Sequence, residues 1–410
     1  MDTAFYTNFI TTLTAQETQI ASLQQQISTG SIASTPSQNP AAYATAALAS
    51  DQISALDKDA TTQSTIQTQL GAANSAYSAI NSLLNNVQSV VLQGLNGTTN
   101  AQNLNAISTQ VDSDSQQLLA LGNSLAPNGS YLFSGTRGNI SPFQTDSLGN
   151  ISYFGDSGQS QASIDAGVNA NTLVNGSVFM SALDGDGISS VAANSHNSGT
   201  AQILQQGLVN VQQAEAFQQG SSADPITVTF TVNKKGVTTY TATQGQSTTP
   251  LASGTISTTS GATTNFQVAG TNYAISGTPA NGDSFTISPA RPQSAFALLK
   301  QISSALSASR ATPAQVAQTN QILNQSLAGL SQYQQAFVTA QAQNGVTLQA
   351  VNAAATTTST QKNAAQTTID NATAVNMPAA ITALNDTMTA MEASMKTFAD
   401  VQSLSLFKYL

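Results

Sequence analysis

The chain has 410 residues, more than the ~250–300 at which a single hydrophobic core usually stops growing, so the sequence predicts more than one domain. Charged residues make up only 7% of it, with no cysteine, one histidine and a net charge of −9. These counts exclude a disulfide framework, a thiolate or histidine-rich metal site and a cysteine nucleophile. Ten basic residues against nineteen acidic ones give no basic surface for nucleic acid. We therefore predict no cofactor, no metal and no nucleic-acid partner.

The N-terminal residues lack the features of a cleaved secretory signal. Residues 1–12 contain no basic residue and no apolar run, and the first basic residue of the chain is Lys58. No segment approaches the ~18 apolar residues of a membrane-spanning helix. We therefore predict no membrane insertion, and either a cytoplasmic location or export without a cleaved signal.

The first 130 residues show the seven-residue apolar repeat of paired helices. A first helix is predicted before Gly30, and Pro36 and Pro40 then interrupt the pattern. A second helix is predicted over about 41–93, and a third ends before Pro127. Asp114 lies on the third helix's apolar seam, either as a buried polar group that fixes register or where the seam is open to water. We favour the second interpretation, because burying an unpaired carboxylate is costly. The apolar seam of the first helix consists of Phe9, Leu13, Ile20, Leu23 and Ile27.

The C-terminal region repeats this pattern. An apolar face predicts a helix over about 313–355, whereas 356–375 is ambiguous between helix and loop. A last helix follows Pro378, and the chain closes on the apolar residues Leu404, Leu406, Phe407, Tyr409 and Leu410. The predicted seam of the last helix consists of Ile381, Leu384, Met388, Met391, Met395 and Phe398.

Between these helical ends, the apolar period changes from seven residues to two. Residues 226–232 alternate apolar residues with threonine, and 237–243 are predicted to pair back with them as a hairpin. A helix is predicted within 203–217. Further short strands are predicted at 131–133, 151–154, 266–268, 273–275 and 285–287.

These patterns predict an α+β fold, in which the N- and C-terminal regions form a long antiparallel helical bundle and a β-rich middle domain is inserted. We divide the chain into an N-terminal helical segment (1–40), a long-helix hairpin (41–130), a β-rich projecting region (131–295), a C-terminal rod helix (296–355) and a final helix that pairs with the N-terminus (356–410). The apolar seams at both ends predict assembly with partners.

Three sequence features could suggest chemistry, and each has a simpler interpretation. Residues 183–187 (LDGDG) lack the remaining ligands of a calcium loop and are interpreted as a turn. His196 lies in a polar loop sequence without a serine nucleophile motif, so an exposed loop residue is the favoured interpretation. Asp57 and Asp59 flank Lys58 and are interpreted as solvated charge. We find no catalytic constellation and predict that the protein is not an enzyme.

Four stretches of the sequence are similar to segments of known proteins. Residues 26–42 (QISTGSIASTPSQNPAA) resemble the N-terminal signature of the flagellar hook-associated protein 3 family, in the flagellin superfamily, although Gln38 and Asn39 stand where the family usually has acidic residues. Residues 118–135 (LLALGNSLAPNGSYLFSG) are similar to a second family stretch, and 403–410 (SLSLFKYL) to the closing residues of the superfamily. Residues 282–289 (GDSFTISP) look like a phrase of hook-associated proteins.

The resemblance implies a structural protein that joins the flagellar hook to the filament. Its implied partners are hook-associated protein 1, flagellin, copies of itself in a ring and a flagellar export chaperone. It also implies an extracellular location reached without a cleaved signal, and it assigns the terminal seams to helix pairing and subunit contacts.

Three alternatives are weighed against this interpretation. Flagellin itself is the nearest, but its signature lacks the Thr-Pro-Ser of residues 35–37 and the second proline, Pro40. A secreted adhesin would need an export signal, which we do not find. A hydrolase carried on the middle region would need an acid–base pair, which one histidine and few carboxylates make improbable.

Overall fold

A computed structural model describes residues 3–33, 35–37, 39–96, 100–158, 160–165, 167–219, 224–257 and 262–406. These residues form seven α-helices, one 3-10 helix and twelve strands, so the predicted α+β class is confirmed. The chain divides into two compact units. The terminal unit comprises 1–63, 164–166 and 353–410, and the central unit comprises 64–163 and 167–352.

Long helices dominate both ends of the chain, as the seven-residue repeat predicts. The second runs over Pro40–Leu95, close to its predicted limits of 41–93. The seven are α1 (Thr3–Thr29), α2 (Pro40–Leu95), α3 (Ala101–Gly122), α4 (Val211–Gln219), α5 (Ala295–Ser307), α6 (Pro313–Thr373) and α7 (Met377–Leu406).

The ambiguous segment 356–375 is largely helical, because α6 continues unbroken to Thr373. The proposed boundary at 355 therefore falls inside a helix. Sequence reasoning missed this continuation because the buried positions Ala354, Thr358 and Ala365 hold small side chains. Their spacing is helical, but they present little apolar surface to a pattern search.

Antiparallel strands make up the middle of the chain. A five-stranded sheet has the order β5-β12-β7-β8-β9, a three-stranded sheet has the order β10-β11-β6, and β1–β2 and β3–β4 form two-stranded ribbons. The twelve strands are β1 (Phe143–Thr145), β2 (Ile151–Tyr153), β3 (Gln161–Asp165), β4 (Val168–Asn171), β5 (Ser189–Ala193), β6 (Gln202–Leu208), β7 (Ile226–Val232), β8 (Thr238–Gln244), β9 (Ala252–Thr255), β10 (Thr264–Val268), β11 (Thr271–Ser276) and β12 (Ser284–Pro289).

We call residues 189–289 the β domain, because its two larger sheets share one apolar core. The rings of Tyr240 on β8 and Phe266 on β10 lie 5.2 Å apart, so the sheets touch through aromatic side chains. Phe230, Tyr273 and Ile287 are fully buried in this core. The predicted hairpin is present as β7–β8, closed by a hydrogen bond from Asn233 N to Val237 O.

One strand prediction for the middle region is wrong. Residues 131–133 form a turn instead of a strand, and Phe133 is buried among the aromatic rings of the central unit. The helix predicted within 203–217 is present as α4, and it begins only at Val211 because β6 occupies 202–208 in partnership with β11. Asn210 then caps α4, accepting a hydrogen bond from Gln213 N. Strand pairing with a distant segment overrides the local apolar pattern there.

Asp114 corrects a further prediction, because it is buried and not open to water. Its two carboxylate oxygens accept hydrogen bonds from Asn86 Nδ2 at 3.1 Å and Gln110 Nε2 at 2.9 Å. Two amide donors therefore compensate the burial of this carboxylate without a cation.

Amide side chains also connect the helices of the central unit. Asn81 donates to Gln341 at 3.0 Å, and Gln67 donates to Asn352 at 2.9 Å, so α2 and α6 run antiparallel there. Gln321 of α6 bonds both backbone groups of Ile203 on β6, accepting from its N–H and donating to its carbonyl. These neutral bonds hold the β domain on α6 with little dependence on salt.

Candidate assembly interface

The first and last helices, α1 and α7, pack against each other in the terminal unit. Phe9 contacts Phe398, and Gly30, beyond the end of α1, bonds Val375, just before α7 begins. The two helices are therefore antiparallel. We call them the terminal pair.

An aromatic cluster holds the outer end of the terminal pair. The Phe9 and Phe398 rings stack with centroids 4.1 Å apart at an interplanar angle of 8°. Tyr6 meets the edge of Phe398 at 5.2 Å, and Gln402 Nε2 donates a hydrogen bond of 2.9 Å to the Tyr6 hydroxyl. Aromatic pairs of this kind contribute about 0.5–1.5 kcal/mol beyond the area they bury.

Main-chain hydrogen bonds hold the inner end. Gly30 ends α1 with a φ of +70°, a conformation that glycine adopts without strain. Ile32 N then donates to Thr373 O at 2.8 Å, and Val375 N donates to Gly30 O at 3.1 Å. The family-like signature around Gly30 thus joins the start of the chain to the α6–α7 connection.

Asn39 caps the next helix, accepting a hydrogen bond from Ala42 N at 3.1 Å. Asparagine and aspartate are equally good N-cap residues, so Asn39 caps this helix as well as an acidic residue would. Gln38 lies outside the described residues, as do Phe407, Tyr409 and Leu410 of the predicted apolar end. Leu404 and Leu406 lie in the last turns of α7.

The predicted seam residues divide into two groups. All five on α1 are half-buried, and on α7 so are Leu384, Met391 and Phe398. Ile381, Met388 and Met395 are instead 46%, 43% and 43% exposed. The half-buried α1 residues are Phe9, Leu13, Ile20, Leu23 and Ile27.

The packed face of α7 alternates large side chains with smaller ones. Ala380 is buried, and Thr387, Ser394 and Val401 follow it at seven-residue intervals as half-buried residues. Sequence reasoning missed these four because it selected the most apolar residue of each turn. The seven-residue recurrence of small or β-branched residues was the available signal, since small side chains let two helices approach closely.

A row of more exposed apolar residues also runs along α7. We call it the methionine stripe: Met377, Ile381, Met388 and Met395, with Met377 39% exposed. The last three recur every seven residues, so they follow one side of the helix. Tyr6 and Ile10 are similarly exposed on α1. The terminal pair therefore keeps apolar surface in contact with solvent.

The other candidate sites have structural explanations. Asp184 Oδ1 accepts from Arg291 N, and Asp186 Oδ1 accepts from Ile188 N and Ser189 N, as expected for carboxylates that stabilise turns. His196 is exposed, and its Nδ1 lies 3.1 Å from Asn194 Oδ1. Within the part of the chain that the structure describes, no group of three or more His, Cys, Asp or Glu residues could hold a metal.

Asp57 was predicted to be a solvated charge, and the structure also pairs it with a lysine. Its Oδ1 lies 2.5 Å from Lys362 Nζ, an ion pair between α2 and α6. Both side chains are about half exposed, so the pair stabilises little. Across the described ranges, no helix is both long and apolar enough to span a membrane.

The long N-terminal helices are similar to those of a known protein family. Residues 3–137 match the family model described as the bacterial flagellin N-terminal helical region. No curated protein sequence matches the chain. The N-terminal third of the chain therefore resembles flagellin-type proteins.

Solved structures of individual flagellar proteins also match the chain. Flagellar hook-associated protein-3 from Legionella pneumophila is 23% identical, with a TM-score of 0.68 over 79% of this chain and 98% of that one. FlgL from Xanthomonas campestris is 24% identical, with a TM-score of 0.66 over 79% of this chain and 99% of that one. A second Legionella pneumophila structure, the flagellar junction protein FlgL, is 22% identical, with a TM-score of 0.66 over 75% of this chain and 98% of that one. The chain has the fold of these three proteins.

Proposed function

We propose that this chain is a structural protein of the bacterial flagellum that forms the junction between the hook and the flagellin filament. The observation that carries the proposal is the fold match along nearly the whole length of structures named as the flagellar junction protein FlgL and flagellar hook-associated protein-3. The match to the flagellin N-terminal helical region supports the same class.

The proposed partners are hook-associated protein 1 on the hook side, flagellin on the filament side and copies of this chain in a ring. A flagellar export chaperone is the proposed partner before assembly. The protein is proposed to be extracellular, exported without a cleaved signal, and not an enzyme. The half-buried seam of the terminal pair supports assembly, because such apolar surface is normally completed by a partner.

We assign two roles to the predicted interface residues. Phe9, Leu13, Ile20, Leu23 and Ile27 pair with Leu384, Met391 and Phe398 inside one subunit. Ile381, Met388 and Met395 contact neighbouring subunits, because they are apolar, exposed and aligned along one side of α7.

Gene deletion followed by electron microscopy tests the junction role. Cells that lack the protein should keep their hooks, lose their filaments and release flagellin into the medium. Re-expression of the natural chain should restore filaments, and so should Phe154→Ala, a control at an exposed phenylalanine outside the terminal pair. Normal filaments on the deletion strain would exclude the proposal.

Flagellin is the second candidate, and the flagellin-type N-terminal match favours it. The same deletion separates the two functions. If this chain were the filament subunit, filaments would disappear and no other flagellin would accumulate in the medium.

A further inference from the structure

A cavity of about 610 Å³ lies beside α6 in the central unit. Its volume falls within the ~300–1,000 Å³ that is usual for small-ligand sites. Gln335, Thr339 and Gln343 line it from α6, and because they recur every four residues they share one face of that helix. The segment 171–183 and side chains of α2 supply the rest of the lining. Three segments of one compact unit therefore surround the cavity.

The lining of this cavity is polar but uncharged. Amide and hydroxyl side chains line it from both α6 and the segment 171–183, and none of the described residues around it is acidic or basic. A charged ligand would lose hydration there without gaining a counter-charge. Each amide offers donors and an acceptor, and Val178, Ala336 and Ala340 add apolar surface. The lining therefore matches a neutral ligand that carries hydroxyl groups as well as apolar C–H surface.

Asn344 adds a buried acceptor to this lining. Its side chain is only 4% exposed, and its Nδ2 donates a hydrogen bond of 2.8 Å to the Leu70 carbonyl on α2. Because a carbonyl only accepts, this bond fixes which end of the amide faces Leu70. The other end, Oδ1, has no hydrogen-bond partner among the described residues, although Asn344 lines the cavity. A buried acceptor without a donor is costly, so a ligand O–H that pairs with Oδ1 gains binding energy.

We propose that this cavity binds a short neutral saccharide. Asn344 Oδ1 accepts a hydrogen bond from one sugar hydroxyl, and the amides of Gln335 and Gln343 bind others. A sugar ring combines hydroxyls, which both donate and accept, with C–H faces that pack on Ala336 and Ala340. A peptide would instead need separate pockets for its side chains. The inference goes beyond the proposed function and does not depend on it.

Titration calorimetry and saturation-transfer NMR on the purified full-length chain test the site. The probes are cellobiose, maltotriose and di-N-acetylchitobiose, which are neutral and differ in linkage and substitution. At least one of them should bind at one site per chain, with an affinity that changes little with salt because no charge is paired. The deacetylated, cationic form of chitobiose should bind several-fold more weakly than the acetylated form. Absence of binding by all three neutral probes would overturn the proposal.

Two neighbouring substitutions on α6 locate the binding. Thr339 is exposed and lines the cavity, so Thr339→Tyr should place a ring in it and abolish saccharide binding. Val338 is 49% exposed and does not line the cavity, so Val338→Tyr is the matched control and should bind as the natural chain does. Circular dichroism should show that both variants retain their helices. Equal binding by the two variants would place the saccharide elsewhere and refute the assignment.

A second pair of variants tests the acceptor. Asn344→Leu removes Oδ1 and should lower saccharide affinity several-fold, but it also removes the bond to Leu70. Gln343→Ala changes an exposed residue of the same wall, so it keeps the buried bond and should still weaken binding several-fold. Natural affinity in both variants would contradict the proposed contacts.

Competing probes separate the saccharide from other occupants. Tighter binding of trialanine than of any saccharide would assign the cavity to a peptide and overturn the proposal. Glycerol that binds as well as the saccharides would show that no sugar ring is recognised, with the same consequence. The deletion strain tests the junction role alone, so loss of that role leaves the saccharide measurements valid, and the reverse also holds.

Discussion

The β domain and the terminal pair bury their apolar side chains to different degrees. In the β domain, Phe230, Tyr273 and Ile287 are completely removed from solvent by two sheets that face each other. In the terminal pair, even the stacked Phe9 and Phe398 are only half-buried, and the methionine stripe remains exposed. Two sheets can close a core between them, whereas two helices leave most of each helix surface outside their contact. The β domain closes its core within one chain, and the terminal pair leaves apolar surface exposed.

The largest expected effect comes from opening the core of the β domain. Phe230→Ala removes a fully buried ring that packs edge-on against Phe285, and it should cost about 3–5 kcal/mol of unfolding free energy. Denaturant titration of the purified chain measures this loss. The exposed Phe154 provides the control: Phe154→Ala should change stability by less than about 0.5 kcal/mol. Equal losses in the two variants would show that the β domain is not closed as described.

The buried carboxylate of Asp283 should give the next largest effect. Its oxygens accept hydrogen bonds from the backbone N–H groups of Ser198, Gly199 and Ala280. Asp283→Ala leaves these donors unpaired and should cost about 3 kcal/mol. Asp283→Asn retains one acceptor oxygen and should cost less in the same titration. An Asp283→Ala variant as stable as the natural chain would contradict this role.

Alkaline pH should also weaken the β domain. Burial raises the pKa of Tyr273 to about 12, against its ordinary value of about 10, and the Ser189 hydroxyl, which bonds the phenol, offsets part of this rise. Because the folded state favours the neutral phenol, its contribution is intact below about pH 10 and is lost as pH rises toward 12, by about 2 kcal/mol in total. Burial also raises the pKa of Tyr240 in the same domain, so its ionisation should destabilise the domain in the same way.

Unfolding curves measured from about pH 9 to about pH 12 test this alkaline loss of stability, because the range spans the ordinary tyrosine pKa of about 10. Tyr273→Phe should reduce the alkaline loss of stability. Identical pH dependence in the Tyr273→Phe and natural chains would rule out this tyrosine as the source.

The smallest expected effect lies in the terminal pair of the free chain. Phe398→Ala removes contacts with Phe9 and Tyr6 and should cost about 1–2 kcal/mol, because the ring is only half-buried. Hydrogen exchange should show faster exchange in α1 and α7 and no change in the β domain. Met395→Ala, on the exposed side of α7, should leave exchange in the free chain unchanged. Faster exchange in the β domain would show that the two regions are not independent.

The sequence by itself determined the long terminal helices and half of the strands, namely β2, β7, β8, β10, β11 and β12. The seven-residue repeat placed α2 within two residues of its observed ends, and the period-two pattern placed β7 at 226–232. These patterns are local consequences of helix and strand geometry, so a single chain segment contains them. The resemblance of residues 26–42 and 118–135 to a flagellar family can likewise be recognised from the sequence alone.

Only the tertiary structure decided which face of each element is used. Leu384, Met391 and Phe398 are half-buried and Ala380 is buried, whereas Ile381, Met388 and Met395 are exposed to solvent. Both rows of apolar residues have the same seven-residue spacing. The tertiary structure also supplied Asn86 and Gln110 to the buried Asp114, and it used β11 to make 202–208 a strand. Each outcome depends on a partner distant in sequence or on close packing by small side chains, which local periodicity does not encode.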